Sequence, residues 1–232
     1  MSRQIALVNV EGTNGVGKTR LSRQAAERLG PRCVPLVELP DAPPAGLPGQ
    51  VIAALHQDGD LFLRTGHPRT ETLLLMGLQV HRFESLGPVT PGQVVLEDRG
   101  PHSVAIYQAA VLAETEQHSD EQALTTAWHI LSTIESWRPQ PTATILLFDD
   151  PRRCLQRFEQ RIGRTATASE RSLMDRADRL YRLLAHTQQG QYYVLDRQQV
   201  DEPHAVAFIT DVCQRAAATA TPKGAVPCPT GT

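Results

Sequence analysis

Apolar residues fall in two rhythms along this chain. Short unbroken runs occur at Ile5 to Val10 (IALVNV), Cys33 to Glu38 (CVPLVE), Val94 to Glu97 (VVLE), Thr144 to Phe148 (TILLF) and Gln191 to Leu195 (QYYVL). Their length and their β-branched and aromatic content predict buried strands. Between them the spacing turns helical. Leu21, Ala25, Ala26 and Leu29 share one face of a helix from Lys18 to Leu29, which Gly30-Pro31 ends. Further helices are predicted at 70–86, 101–114, 120–137, from Pro151, at 169–186 and at 203–216, with a short helical piece at 51–56. Pro35 places the second strand at a sheet edge, because proline cannot donate to a ladder. Strands alternating with helices predict an α/β fold: a parallel sheet of about five strands with helices on both faces.

The same pattern sets the domain limits. Residues 1–216 read as a single domain. Asp41 to Pro48, rich in proline, has the composition of an irregular flap. From Ala217 the chain reduces largely to Ala, Thr, Pro and Gly, which predicts a disordered tail over 217–232.

Composition narrows the function classes. The chain has 232 residues, is 41% hydrophobic and carries a formal net charge of −2. That balance argues against a bulk nucleic-acid binder or a membrane-surface protein. No apolar run is long enough for a bilayer, and the N-terminus lacks a signal pattern, so a cytoplasmic location is expected. Cys33, Cys154, Cys213 and Cys228 are scattered, as structural thiols are.

The chemistry gathers at strand ends. Gly12-Thr13-Asn14-Gly15-Val16-Gly17-Lys18-Thr19 fits G-x-x-x-x-G-K-[ST] between a strand and a helix. The glycines let backbone N–H groups wrap an anion, and the helix start adds its positive end. Lys18 is expected to reach the β- and γ-phosphates of ATP, and Thr19 to hold Mg²⁺. Asp98 follows a hydrophobic strand and is the second expected Mg²⁺ residue. Glu97 should point to the other face of that strand. Arg99 has the chemistry of a bidentate phosphate clamp. Arg157, Arg161, Arg164 and Arg171 lie at near-helical spacing broken by Gly163, which reads as an arginine-bearing lid over about 157–171, led by Arg157 and Arg161. Glu38 ends a strand, where it could accept a proton from a hydroxyl. Arg82 has the charge for an acceptor phosphate.

Taken together, these residues resemble the thymidylate kinase family and, more loosely, the deoxynucleoside kinases. Glu11 through Thr19 is similar to that family's E-G-x-D-G-x-G-K-[ST] opening, and Asp98 through Gln108 (DRGPHSVAIYQ) to its D-R-Y-x-x-S-x-x-A-Y-Q stretch. Thr70 to Leu75 resembles the start of its substrate-side helix, and Leu155 to Arg161 its L-x-R-x-x-x-R lid entry. The resemblance implies a P-loop NTPase fold, often a homodimer, and transfer of the ATP γ-phosphate to a nucleoside monophosphate. Arg99 would then hold the acceptor phosphate, with Tyr107 beside the acceptor sugar. The departures fall on the acceptor side. Asn14 stands where Asp is usual, Glu38-Leu39-Pro40 replaces R-E-P-G-G, Gly100 replaces an aromatic residue, and Arg82 lies near a family arginine but out of phase with it. Two other readings follow: a kinase of a nucleoside or other small alcohol, with Glu38 as base, and a nucleotide-binding regulator without transfer.

Overall fold

A computed structural model describes residues 5–36, 46–56, 59–188 and 190–220. Five strands form one sheet: β1 (Ala6–Glu11), β2 (Cys33–Leu36), β3 (Val94–Asp98), β4 (Ala143–Phe148) and β5 (Tyr193–Asp196). Their order is β2-β3-β1-β4-β5, and every pairing is parallel. Pro35 sits in an edge strand, as its missing N–H requires.

The helices are α1 (Lys18–Leu29), α2 (Leu47–Leu55), α3 (Pro68–Glu84), α4 (Pro101–Glu116), α5 (Asp120–Trp137), α6 (Pro151–Ile162), α7 (Ala168–Thr187) and α8 (Glu202–Ala220). Strand alternation sorts them into two layers. Val8, Val10, Ile145 and Leu147 face α1 and α8, where Leu21, Ala25, Ile209 and Cys213 complete one core. Leu146 and Phe148 face the larger core of α4, α5 and α7, which includes Ile106, Leu131, Leu180 and Tyr181. The chain therefore has the P-loop NTPase fold, a five-stranded parallel sheet covered on both sides.

Element boundaries differ from expectation where local chemistry outweighs composition. Pro48 belongs to the first turn of α2, where a missing N–H costs nothing. Strand β5 runs from Tyr193 to Asp196 instead of Gln191 to Leu195. Helix α8 passes Ala216 and continues to Ala220. Alanine is the strongest helix former, and Ala217 and Ala220 pack against the core, so 217–220 are helical. Residues 221–232, the rest of the expected tail, lie outside the described residues. So do Val37 and Glu38 of the predicted second strand and most of the proline-rich connection.

One buried charge cluster ties the sheet to its helices. Glu97, near the end of β3, is fully buried. Arg138, just past α5, donates to both its carboxylate oxygens at 3.0 and 2.9 Å. Arg82 of α3 lies 3.2 Å from the same carboxylate, and it also donates to the carbonyls of Arg99 and Asp98 at 2.8 and 3.0 Å. A carboxylate so enclosed is tolerable only with these partners. We expect Arg138→Leu to lower unfolding free energy by about 3–5 kcal/mol, because it strands a buried charge. Urea denaturation measures this, and a loss below about 1 kcal/mol would contradict the assignment.

Candidate functional site

The order of the strands reverses at β1, whose neighbours β3 and β4 leave in opposite directions across the sheet. Ligands of open parallel sheets bind at such a point, outside the carboxyl ends. The loop after β1, Gly12 to Gly17, occupies it. Gly12, Gly15 and Gly17 have φ of 140°, 79° and 100°, a left-handed region closed to most side chains. Space is equally restrictive: a Cβ at Gly15 would lie 2.0 Å from the Cys154 carbonyl oxygen of α6. The loop is thus pressed against the start of α6 while α1 points its N-terminus into the turn. Lys18 folds over the loop, and its Nζ donates to the carbonyls of Gly12 and Thr13 at 2.6 and 2.7 Å.

Asn14 is the hinge between this loop and the rest of the site. Its N–H donates to the Tyr107 hydroxyl at 2.9 Å, and its side-chain oxygen accepts from Arg99. Arg99 holds φ at 57°, an uncommon conformation for a non-glycine residue, immediately after β3. Asp98 pairs in register with Val10, two residues before the loop. Thr19, Ser22 and Asp98 line a common cavity of about 420 Å³ beside α1. A hydroxyl and a carboxylate are hard oxygen donors of the kind Mg²⁺ takes, with phosphate oxygens and water completing its shell. Among the described residues there is no cluster of three or more His, Cys, Asp or Glu side chains that could hold a metal by itself.

A second cavity, of about 550 Å³, has Asn14 in its wall. Its aromatic wall is Phe62, stacked on Tyr107 with centroids 5.7 Å apart and set 5.8 Å from Phe158. Its polar groups include the amides of Gln79 and Gln108 and the guanidinium groups of Arg99, Arg161 and Arg164. Apolar walls with a few convergent polar groups are the usual build of a small-molecule site.

The expected arginine lid divides among several tasks. Gly163, left-handed at φ 70°, ends α6. Arg157 reaches back to the loop, donating to Asp149 at 2.6 Å and to the Gly15 carbonyl at 3.2 Å. Arg161 packs over the Phe158 ring and faces the second cavity. Arg164 makes a two-pronged pair with Glu170 at 2.8 and 2.7 Å, holding that carboxyl down at about 2. Arg171 donates to the Ala166 carbonyl. Arg82 is occupied by Glu97 and main-chain carbonyls and does not line the second cavity. The expectation that it binds an acceptor phosphate is at odds with that placement. Glu38 lies outside the described residues.

Several residues of this region carry no signal in the sequence. Gln79 and Phe62 look like ordinary helix and loop positions, and Phe158 like a core residue. Gly100 has a local cause: a Cβ there would lie 2.4 Å from Asn9 and 2.8 Å from Glu97. Glu11, the last residue of β1, is fully buried. It accepts from Ser103 at 2.6 Å and from Tyr181 at 3.4 Å. Burial raises its carboxyl to about 7, against the opposing bond from Ser103.

Comparison with known proteins bears on the fold. No family model matches the chain, and no curated protein sequence matches it. A solved deoxyadenosine kinase from M. mycoides with bound dCTP is similar in structure, with a TM-score of 0.59 over 88% of this chain and 97% of that one, at 12% identity. That likeness is one of fold, and it lies with the looser of the two resemblances drawn from sequence. Among the described residues no helix is long and apolar enough to cross a membrane.

The Glu11 environment makes a pH prediction. Its folded pKa lies above its ordinary 4.5, so its neutral form stabilises the fold fully below about 4.5. That contribution is lost as pH rises to about 7. Wild type should therefore lose stability relative to Glu11→Gln between those values and not beyond. Chemical denaturation across pH 4–9 reads the difference, and a pH-independent difference would contradict a raised pKa.

Proposed function

We propose that this protein is a kinase that transfers the γ-phosphoryl group of ATP, with Mg²⁺, to a hydroxyl of a nucleoside. The observation that carries this reading is Asn14, which belongs to the phosphate-cradling loop and also lines the aromatic cavity. A phosphoryl group seated on the loop therefore faces an acceptor lodged among Phe62, Tyr107 and Phe158.

The roles follow from charge and placement. Loop amides from Gly12 to Thr19 and the Lys18 ammonium hold the donor phosphates. Thr19 and Asp98 hold the metal, which when bound neutralises charge building on the phosphate oxygens. Arg99 and Arg161 face the acceptor, and Arg157 sits beside the loop, where charge develops during transfer. The acceptor oxygen bonds to the γ-phosphorus as the bond to ADP breaks, and its proton passes to a carboxylate. Glu38, two residues beyond the last residue of β2, is proposed as that base on its sequence position alone. Alignment and charge supply the rate, with no covalent intermediate.

A nucleoside monophosphate is the second reading, favoured by the three arginines that line the cavity. The nucleoside is preferred because Arg82 is bound to Glu97 and main-chain carbonyls, and Arg164 is paired with Glu170.

Two outcomes test the proposal. In a coupled ADP-release assay over nucleosides and their monophosphates, a nucleoside should give the highest kcat/KM; transfer confined to monophosphates would install the second reading, and ATP binding without transfer to any acceptor would leave a regulator. With the best acceptor, Lys18→Ala should lower kcat by about 100-fold or more, whereas full turnover would contradict the donor site.

A further inference from the structure

Glu11 is an acid placed where solvent does not reach and charge on the glycine loop does. It is the last residue of β1, immediately before Gly12, and it is fully buried. Strand alternation turns it away from the face of Val10 and Asp98, which lies beside α1, and toward α4 and α7. There Ser103 donates to its Oε2 at 2.6 Å, and the Tyr181 hydroxyl lies 3.4 Å from the same oxygen. Its Oε1 is sealed from solvent and meets no hydrogen-bond donor among the described residues. Both bonded partners are neutral hydroxyls, so neither form of the carboxyl is locked in.

The charges that decide between the two forms come from several elements. Burial favours the neutral acid most strongly, the Ser103 bond opposes it, and the Glu97 charge of β3 adds to it. Lys18 at the start of α1 and Arg99 after β3 favour the carboxylate. The Arg82 cation of α3 feels the same carboxylate, as do the hydroxyls of Tyr181 on α7 and Tyr192 ahead of β5. The neighbour in β4 is Leu146, which carries no charge. The balance holds the Glu11 carboxyl at about 7. Lys18 and Arg99 both lie on the side of the loop: Lys18 Nζ bonds the carbonyls of Gly12 and Thr13, and Arg99 bonds Asn14. A triphosphate seated there cancels their field at Glu11 and adds negative charge of its own. Two negative charges about 10 Å away, across an effective dielectric of about 20, favour the acid by at least about tenfold. The proton has a route in, because the Ser103 hydroxyl lines the aromatic cavity as well as bonding Glu11. A hydroxyl accepts on one side while it donates on the other.

We propose that seating a nucleoside triphosphate on the glycine loop is coupled to proton uptake by Glu11, so that donor affinity falls as pH rises. The proposal rests on the donor-site reading of the loop and goes beyond it. The proton passes from solvent to a carboxylate oxygen, and no other bond changes. Below about 7 the carboxyl is already neutral, and binding takes up nothing. Above that value the protein must gain the proton as it binds, and affinity declines with pH. The decline ends once the pH also exceeds the higher pKa that Glu11 has in the complex.

Calorimetry of a non-hydrolysable ATP analogue with Mg²⁺, at pH 7.5 in buffers of different ionisation enthalpy, counts the protons. Wild type should take up about half a proton more than Glu11→Gln, which cannot titrate at this position and cancels the nucleotide's own protons from the comparison. From pH 6.5 to 8.5 the wild-type Kd should rise about 5-fold more than that of the variant. Ser103→Ala removes the bond that favours the carboxylate, so it should move the fall in affinity to higher pH. That second variant keeps the test decisive if Glu11→Gln does not fold. Equal proton counts and parallel pH profiles in wild type and Glu11→Gln, or a Ser103→Ala profile that coincides with wild type, would overturn the inference and leave the donor site intact. No binding of the analogue by wild type at any pH would overturn both.

Discussion

Glu97 is where the sheet, α3 and the end of α5 meet. A carboxylate with no contact to solvent is destabilising unless cations reach it, and the two that do arrive from different elements. Arg138 comes from the end of α5 and Arg82 from α3. Their terminal nitrogens also bond the carbonyls of Asp98 and Arg99 and the Gln79 amide oxygen. One buried charge thereby fixes α3 against the strand end that bears Asp98 and Arg99. A neutral residue at 97 would remove the reason for both arginines to be there.

The donor side is held differently, by backbone geometry. Three glycines with left-handed φ and the pressure of α6 against Gly15 shape the loop before any ligand arrives. Asn14 then links that loop to Tyr107 and Arg99. An amide at this position accepts the arginine's hydrogen bond without cancelling its charge, as an aspartate would. On the proposed reading, the positive field facing a transferring phosphoryl group would be correspondingly larger.

Much of this was legible in the sequence because the signals were local. The glycine loop, the five apolar runs and the proline of the edge strand each declare themselves within a few residues. The parallel sheet followed from their alternation. What escaped was long-range and polar. Arg138 and Glu97 are 41 residues apart, and Glu11 and Tyr181 are 170 apart. No periodicity pairs such residues. Arg82 had the charge for an acceptor phosphate, yet it is buried against the carboxylate and carbonyls at the end of β3. Gln79 and Phe62 gained their meaning only when the cavity enclosed them. The composition of the last segment misled for the opposite reason: a run of alanines that reads as featureless is also a strong helix former, and α8 uses it as far as Ala220.

The account depends on donor and acceptor sites sharing one rim, close enough for direct transfer. A bisubstrate compound, adenosine joined to a nucleoside through a chain of phosphates, tests that most directly by calorimetry. If the loop and the aromatic cavity adjoin at Asn14, the linked compound should bind about 100-fold tighter than ATP, because its second half docks without a second loss of freedom. An affinity no greater than that of ATP would mean that the cavity and the phosphate loop do not serve one reaction.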